Sequence, residues 1–247
     1  MLWLGLAGFG VVFLSAALML GLTFLRRKSP PTFRDIPAFT HLKQAIGRVV
    51  EDGSRLHVSL GRAALTTPQS ASALAGLALL NRLADLTSAS DKPPVVTSGD
   101  AALSLLSQDT LLSASHASGQ GVYDPTAARL TGLTPFSYAA GAMPVIHDEN
   151  VSTNVLIGNF GAEVGLLTEA SERTNAFSLA ASDNLPAQAI QYASGQEPLI
   201  GEELFAAGAY VEAGPMHAAS LIVQDILRWT IVIAILGGIL LKLLGVF

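Results

Sequence analysis

Residues 154–165 have the sequence NVLIGNFGAEVG, and the fold prediction starts from this stretch. An apolar run over 154–157 predicts a strand, glycines at 158, 161 and 165 follow, and the pattern over 162–173 predicts a helix. Strand, turn and helix in this order build parallel α/β sheets, and the same order often holds a phosphate group at the helix N-terminus. The stretch therefore indicates either a nucleotide site or a tight turn between a strand and a helix.

The same alternation of strands and helices extends to both sides of this stretch. Further strands are predicted over 56–61, 94–99, 176–180 and 198–201, and helices over 70–86, 100–114, 187–194 and 202–210. Asp100 and Asp183 are candidate N-caps of two of these helices. The pattern predicts an α/β fold, with a mostly parallel sheet flanked by helices.

The segment over 115–149 has no clear periodicity. Pro125 and Pro135 interrupt it, and residues 136–140 favour a strand. Long irregular insertions in compact domains are often functional. We expect this one to be an interaction surface rather than a catalytic loop.

Composition points to a membrane protein. Of the 247 residues, 50% are hydrophobic and 13% are charged, against about a quarter charged in typical soluble domains. The net charge is −5, and no extended basic face predicts nucleic-acid binding. The chain has no cysteine, which excludes disulfides, thiolate metal sites and a cysteine nucleophile.

The excess of apolar residues lies at the two ends of the chain. Residues 2–25 carry no charge and would span roughly 36 Å as a helix, enough to cross a bilayer. A second apolar run covers 229–247 and begins with Trp229, a residue type that favours membrane interfaces. We predict a transmembrane helix at each end, a domain over 29–215, and a connecting helix over 216–228 that continues into the second span.

Basic residues 26–28 follow the first span and predict its orientation. By the positive-inside rule they place the domain in the cytoplasm, with lipid of the inner (plasma) membrane around the two anchors. Small residues four apart, at 17 and 21 and again at 234 and 238, permit close packing of helices. The two anchors are expected to pair with each other or with helices of other subunits.

The glycine-spaced turn lacks the features of a phosphate loop. It has neither the lysine nor the Ser/Thr of a P-loop, and its glycines do not follow the G-x-G-x-x-G spacing. Glu163 stands in the first turn of the predicted helix, where it would repel phosphate. The sequence thus favours a tight turn with close packing of helix on strand.

A ligand site remains possible at one edge of the predicted sheet. Open α/β sheets bind ligands beyond the carboxyl ends of their strands. The residues that the pattern places there are Gly61, Ser98, Gly99, Asp100, Gly158, Asn159, Ser182 and Asp183. This candidate ligand site rests on analogy between folds, because helix capping alone explains Asp100 and Asp183.

No catalytic, metal or cofactor site is predicted. His147, Asp148 and Glu149 are neighbours in sequence, and no H-E-x-x-H pattern supports a metal site there. His57 and Ser59 share one face of a strand without an acid to complete a triad, and no G-x-S-x-G motif is present. We therefore assign no catalytic residue, metal or cofactor, and leave open whether the protein is an enzyme.

Several segments carry a resemblance to a known family. They are IPAFTHLKQAIGRVVEDGSRLHVSLGR, YDPTAARLTGLTPFSYAAGA, NVLIGNFGAEVGLL and EPLIGEELFAAGAYV. Together they resemble an uncharacterised prokaryotic membrane-protein family whose module, a domain of unknown function, lies between membrane helices. The resemblance implies a two-helix anchor and an α/β domain. It also suggests that Gly53, His57, Gly61 and residues 201–203 are features that this chain has in common with the family. It brings no catalytic residue.

Two classes of function fit these observations. The first is a membrane-anchored, non-enzymatic assembly or scaffold protein that forms a homo-oligomer or joins a larger membrane complex. The second is a small-molecule or nucleotide-binding sensor or enzyme that uses the rim of the sheet. The low charge, the small-residue faces and the missing catalytic motifs favour the first.

Overall fold

The computed structural model describes residues 2–25, 31–119 and 123–245. The chain divides into two compact units, one made of residues 1–34 with 214–247 and one made of residues 35–213. The basic residues 26–28 and the exit segment over 29–30 lie outside the described residues.

The described chain alternates between helices and strands over most of its length. The helices are α1 (Leu2–Leu25), α2 (Pro37–Asp52), α3 (Ser70–Leu86), α4 (Ala101–Ser118), α5 (Pro135–Asp148), α6 (Val164–Arg173), α7 (Leu185–Ser194), α8 (Glu203–Tyr210) and α9 (Pro215–Leu243). The strands are β1 (Arg55–Gly61), β2 (Val95–Ser98), β3 (Ala128–Leu130), β4 (Val151–Asn159), β5 (Phe177–Ser182) and β6 (Glu197–Leu199).

The first unit consists of two apolar helices, α1 and α9, that pack against each other. Both are long and apolar enough to cross a membrane. The helix α9 begins at Pro215 and continues without a break through the apolar run to Leu243. Within it, Asp225 pairs with Arg228 at 3.5 Å. The small residues Gly21 and Gly238 have open space around them, so the two helices meet through other side chains.

The second unit is built on one six-stranded sheet. Its strand order is β3-β2-β1-β4-β5-β6, and every neighbouring pair is parallel. This order, 3-2-1-4-5-6, is that of the doubly wound Rossmann sheet, in which the direction of winding reverses between the first and the fourth strand. The predicted α/β fold class is confirmed.

Helices cover both faces of the sheet. On one face, α2, α3, α4 and α8 pack over the apolar side chains Leu56, Val58 and Leu60 of β1. On the other face, a smaller core joins α5, α6 and α7 around Tyr138 and Phe160. Because side chains alternate along a strand, His57 and Ser59 of β1 point to this second face, where both are fully buried.

Two parts of the domain differ from the sequence prediction. The strand predicted over 136–140 is wrong, because these residues belong to α5. Thr134 and Ser137 form a capping box, and Pro135 occupies the first helical turn, so local signals start a helix there. The segment over 115–149, expected to be irregular, contains the end of α4, all of β3 and all of α5.

Candidate functional site at the carboxyl edge of the sheet

The carboxyl ends of β1 and β4 mark the point where the winding reverses. Doubly wound sheets commonly bind their ligands in a crevice at this point. Here the backbone stays hydrogen-bonded beyond the ends of the strands: Arg62 N donates to Asn159 O at 2.9 Å, and Gly99 N donates to Gly61 O at 2.9 Å. The first bond bridges β1 and β4 where such a crevice would begin, and the second joins the turn after β2 to β1.

Two glycines make this close approach possible. Gly61 has φ +69°, and a Cβ there would lie 2.3 Å from Asn159 O. Gly158 has φ +150°, and a Cβ there would lie 2.1 Å from Leu60 O. Only glycine tolerates both the dihedral and the contact. These two predicted site residues are thus needed to hold β1 against β4.

An ion pair lies across the switch point. Arg62 follows β1, and its Nε donates to Glu163 Oε1 at 3.0 Å. The Glu163 side chain is 1% exposed and that of Arg62 is 22% exposed. Glu163 Oε1 also accepts from Gly161 N at 2.9 Å. A carboxylate of the chain itself therefore occupies the start of α6, where the helix dipole favours an anion.

Two further glycines leave room for this ion pair. A Cβ on Gly161 would lie 2.5 Å from Glu163 Oε2. A Cβ on Gly99 would lie 2.5 Å from Arg62 Cγ. The glycines of the turn after β4 and the turn after β2 therefore fit around the side chains of Glu163 and Arg62. In this structure the glycine-spaced turn holds an internal carboxylate.

The ends of β4 and β5 are joined by polar side chains. Asn159 Nδ2 donates to Asp183 Oδ1 at 2.7 Å. Ser182 Oγ accepts from Phe160 N at 3.1 Å and from Asn184 N at 3.3 Å. The prediction that Asp183 caps α7 is wrong, because the N-cap residue is Asn184. Asp183 is instead fixed by the amide of Asn159.

The remaining predicted site residues form a separate group at the end of β2. Asp100 caps α4 as predicted, and its Oδ1 accepts from Leu103 N at 2.9 Å. Ser98 Oγ donates to Asp100 O at 3.3 Å. The structure thus brings together Asn159, Ser182 and Asp183 on one side, while Ser98 and Asp100 bond to each other and to α4.

A buried polar network crosses the sheet beneath this edge. His57 Nδ1 lies 2.7 Å from Asn154 Oδ1, and its Nε2 lies 2.9 Å from Thr97 Oγ1. The Tyr138 hydroxyl, also buried, bonds to Ser59 Oγ and accepts from Gly61 N at 3.2 Å. Burial is the main cause that lowers the pKa of His57 to about 4, so the imidazole is neutral at pH 7.

Sequence reasoning missed the residues that organise this region. Arg62 received no assignment because its partner is 101 positions away and no local pattern links them. Tyr138 was placed in a strand, and Asn154 and Thr97 were not singled out as polar residues. The polar residues Thr97 and Asn154 within predicted strands were the signal that could have found this network, because buried polar side chains must find hydrogen-bond partners.

The cluster of His147, Asp148 and Glu149 has a structural explanation. Glu149 accepts hydrogen bonds from both Arg55 and Arg129 rather than lining a metal site with His147. In the described part of the chain, no group of three or more His, Asp or Glu side chains is arranged to hold a metal ion.

The fold and the site define a doubly wound α/β protein that carries two apolar helices long enough to span a membrane, with an ion pair at the switch point of its sheet. The chain belongs to the family described as a domain of unknown function, DUF6754, whose model matches residues 6–247. No curated protein and no solved structure matches the chain.

Proposed function

We propose that this chain is a membrane-anchored, non-enzymatic assembly protein whose α/β domain packs into a homo-oligomer or onto other subunits of a larger membrane complex. The observation that carries the proposal is an exposed apolar corner beside the edge strand β3. We call the group Leu105, Leu130, Leu133 and Phe136 the β3 corner. Their exposed fractions are 66%, 47%, 69% and 71%.

The four side chains come from structural elements that follow one another along the chain: α4, β3, the turn after it and α5. Gln108 Nε2 donates to Ala128 O at 3.3 Å, so α4 runs alongside β3. Leu105 precedes Gln108 by about one helical turn and Leu130 follows Ala128 by two residues, so both lie toward the carboxyl edge. Leu133 and Phe136 follow in the turn and at the start of α5.

Such a corner is costly to leave in water. Burial of apolar surface lowers the free energy by roughly 25 cal/mol per Å². Contiguous exposed apolar groups commonly mark sites of protein interaction. Aromatic side chains often anchor such contacts. β3 has only three residues and pairs with β2 alone, so the corner flanks a short sheet edge. A protein surface that covers the β3 corner would shield both its apolar side chains and the sheet edge from water.

The direct test is the native mass of the full chain, extracted untagged in mild detergent from its own cell. We expect a mass several times 25.6 kDa, or a complex that contains other subunits. Phe136→Asp combined with Leu133→Asp should release single chains, because two charges cannot be buried in the contact. An aspartate at position 136 suits the first turn of α5, so the variant should fold. Tyr192→Asp, at a side chain that is 74% exposed on α7, is the matched control.

A single chain in mild detergent would overturn the proposal. So would an assembly whose mass is the same in the double variant and in the wild type. Release by Tyr192→Asp to the same extent would show that added charge, and not the β3 corner, controls the mass.

The proposal includes a location. We propose that α1 and α9 anchor a prokaryotic inner (plasma) membrane protein and that the domain lies in the cytoplasm, supported by the basic residues 26–28. Because the chain has no cysteine, single introduced cysteines report sidedness. In intact cells a membrane-impermeant maleimide should spare Glu51→Cys on α2 and label Leu244→Cys at the end of α9. The reverse pattern would invert the orientation.

A second candidate function is a small-molecule or nucleotide sensor or enzyme at the carboxyl rim. The strand order supports it, because ligands of doubly wound sheets bind at the switch point. A phosphate at the start of α6 would have to displace Glu163 from Gly161 N. Glu163→Gln should then raise affinity for ATP or NAD in equilibrium dialysis with the full chain. No binding by either the wild type or the variant would exclude these two ligands.

A further inference from the structure

A second group of exposed apolar side chains lies at the other side edge of the sheet, beside β6. Leu185 begins α7, Ile200 directly follows β6, and Phe205 lies in the first turn of α8. Their exposed fractions are 77%, 40% and 37%. Gln188 Oε1 accepts from Gly201 N at 3.1 Å, so the start of α7 lies against the turn after β6. We call Leu185, Ile200 and Phe205 the β6 corner.

The β3 corner and the β6 corner lie at the same level of the sheet. One row of paired residues crosses all six strands from β3 to β6, and its members are Arg129, Thr97, Ser59, Leu156, Ala180 and Pro198. Leu130 follows this row by one position at one side, and Ile200 follows it by two positions at the other. Both corners therefore lie toward the carboxyl edge, and their levels differ by about one residue, roughly 3.3 Å along a strand.

The two corners also draw on the same kinds of element. Each takes one side chain from a helix on the α4 and α8 face, one from the end of an edge strand, and one from the start of a helix on the α5 and α7 face. In that order the side chains are Leu105, Leu130 and Phe136 at the β3 corner, and Phe205, Ile200 and Leu185 at the β6 corner. A second copy placed alongside in the same orientation would bring each of these side chains toward its counterpart.

The exposed apolar area of the two corners approaches what a stable contact needs. At roughly 150 Å² for a large apolar side chain, the exposed fractions of the seven side chains amount to about 600 Å². A standard interface buries about 1,600 Å², of which about 57%, or roughly 900 Å², is apolar. The two corners would thus supply about two-thirds of the apolar area of such an interface.

Side chains, rather than pairing of strands, would make this contact. Pro198 stands in the middle of β6 and has no N–H to donate to a further strand. Residues 130–137 of the β3 corner include no acid, so this segment does not repel Asp183 and Glu202 beside the β6 corner. The same segment contains the N-terminus of α5, where the helix dipole favours nearby negative charge.

We propose that the β3 corner is covered by the β6 corner of a second copy of this chain, so that the copies pack head to tail. This inference rests on the proposed function and names the partner of the β3 corner. A contact between two β3 corners would leave both β6 corners in water, whereas the head-to-tail contact covers both kinds of corner. Such contacts repeat from copy to copy and close into a ring when the rotation between copies permits it.

The experiment compares the native masses of two variants of the full chain, expressed alone and together. Leu133→Asp with Phe136→Asp disables the β3 corner, and Leu185→Asp with Ile200→Thr disables the β6 corner. We expect each variant alone to be a single chain of 25.6 kDa, and the wild type to be larger than a pair of chains. Expressed together, the variants should form a pair and nothing larger, because the pair has one intact contact.

The variants should fold, because each changed side chain is at least 40% exposed and an aspartate at position 185 suits the first turn of α7. An unchanged far-ultraviolet circular dichroism spectrum checks this. Tyr192→Asp is the matched control. Tyr192 lies about two helical turns beyond Leu185, roughly 10 Å further toward the edge where the strands begin, so this variant should keep the wild-type mass.

The outcomes separate this inference from the proposed function. A wild type that is a single chain would overturn both. If the β3-corner variant is released and the β6-corner variant keeps the wild-type mass, only the inference is overturned, because another β3 corner or another protein must then cover the β3 corner. Two released variants that do not pair with each other would also overturn it.

Cross-linking gives a second readout that does not depend on disrupting the contact. Because the chain has no cysteine, Phe136→Cys and Leu185→Cys can be expressed together and treated with a short bismaleimide. We expect a cross-linked pair from the mixture and none from either variant alone. Tyr192→Cys in place of Leu185→Cys should give at least tenfold less of the pair. A cross-link of Phe136→Cys to itself, or none in the mixture, would overturn the head-to-tail contact.

Discussion

Arg62 Nε donates to Glu163 Oε1 at 3.0 Å across the point where the winding of the sheet reverses. The pair joins the segment after β1 to the start of α6, and the carboxylate is almost completely buried. An ion pair in this position stabilises the closed edge only while both partners are present, since a buried charge without its partner is strongly unfavourable.

Removal of Arg62 should therefore destabilise the domain more than removal of both charges. We expect Arg62→Met to lower the unfolding free energy by about 3 kcal/mol, and the double variant with Glu163→Gln to recover part of that loss. Thermal unfolding of the full chain in detergent measures both. Arg173→Met is the control, because its pair with Glu169 is exposed and should contribute less than about 1 kcal/mol. Equal effects of Arg62→Met and Arg173→Met would contradict the role of the buried pair.

The comparison of Gly61 with Gly201 separates backbone strain from close contact. Both have nearly the same dihedral, φ +69° and +68°, but a Cβ on Gly61 would lie 2.3 Å from Asn159 O, and one on Gly201 would meet nothing within 4 Å. Gly201→Ala should cost about 1–2 kcal/mol from the left-handed conformation alone. Gly61→Ala should prevent the β1–β4 pairing and give little folded protein. Similar melting temperatures for the two variants would disprove the contact argument.

The sequence predicted the alternation of strands and helices well, because parallel strands buried on both faces appear as short apolar runs between helical patterns. The prediction was wrong at 136–140. The aromatic residues Phe136 and Tyr138 favoured a strand, but the capping box of Thr134 and Ser137 starts a helix there. The predicted rim residues do lie at the carboxyl edge. The ion pair between Arg62 and Glu163 depends on a tertiary contact between distant segments, which no local pattern encodes.

Tyr138 should stabilise the junction beneath the rim through its hydroxyl. This group bonds to Ser59 Oγ and accepts from Gly61 N, and the side chain is fully buried. Tyr138→Phe leaves these partners unsatisfied and should cost about 1–3 kcal/mol. The exposed Tyr192→Phe should cost nothing measurable. Thermal melts of the two variants make the comparison, and a Tyr138→Phe protein as stable as the wild type would show that its hydroxyl bonds are dispensable.

His57 should make the stability of the domain depend on pH in a defined window. Its pKa is about 4 in the folded protein and 6.5 when unperturbed. Between these values the unfolded chain binds a proton that the folded chain does not, so the unfolding free energy falls as pH drops from about 6.5 to about 4. Above pH 6.5 His57 has no effect on how the unfolding free energy changes with pH. The shift corresponds to a loss on the order of 3 kcal/mol across the window.

The measurement is the melting temperature of the full chain from pH 7.5 to pH 4, with His57→Gln compared against the wild type. The His57→Gln protein should start from a lower stability, because two buried hydrogen bonds are altered, and then lose less on acidification. Parallel curves for the wild type and His57→Gln would mean that His57 has the same pKa in the folded and the unfolded chain, and the neutral network of His57, Asn154 and Thr97 would then be wrong.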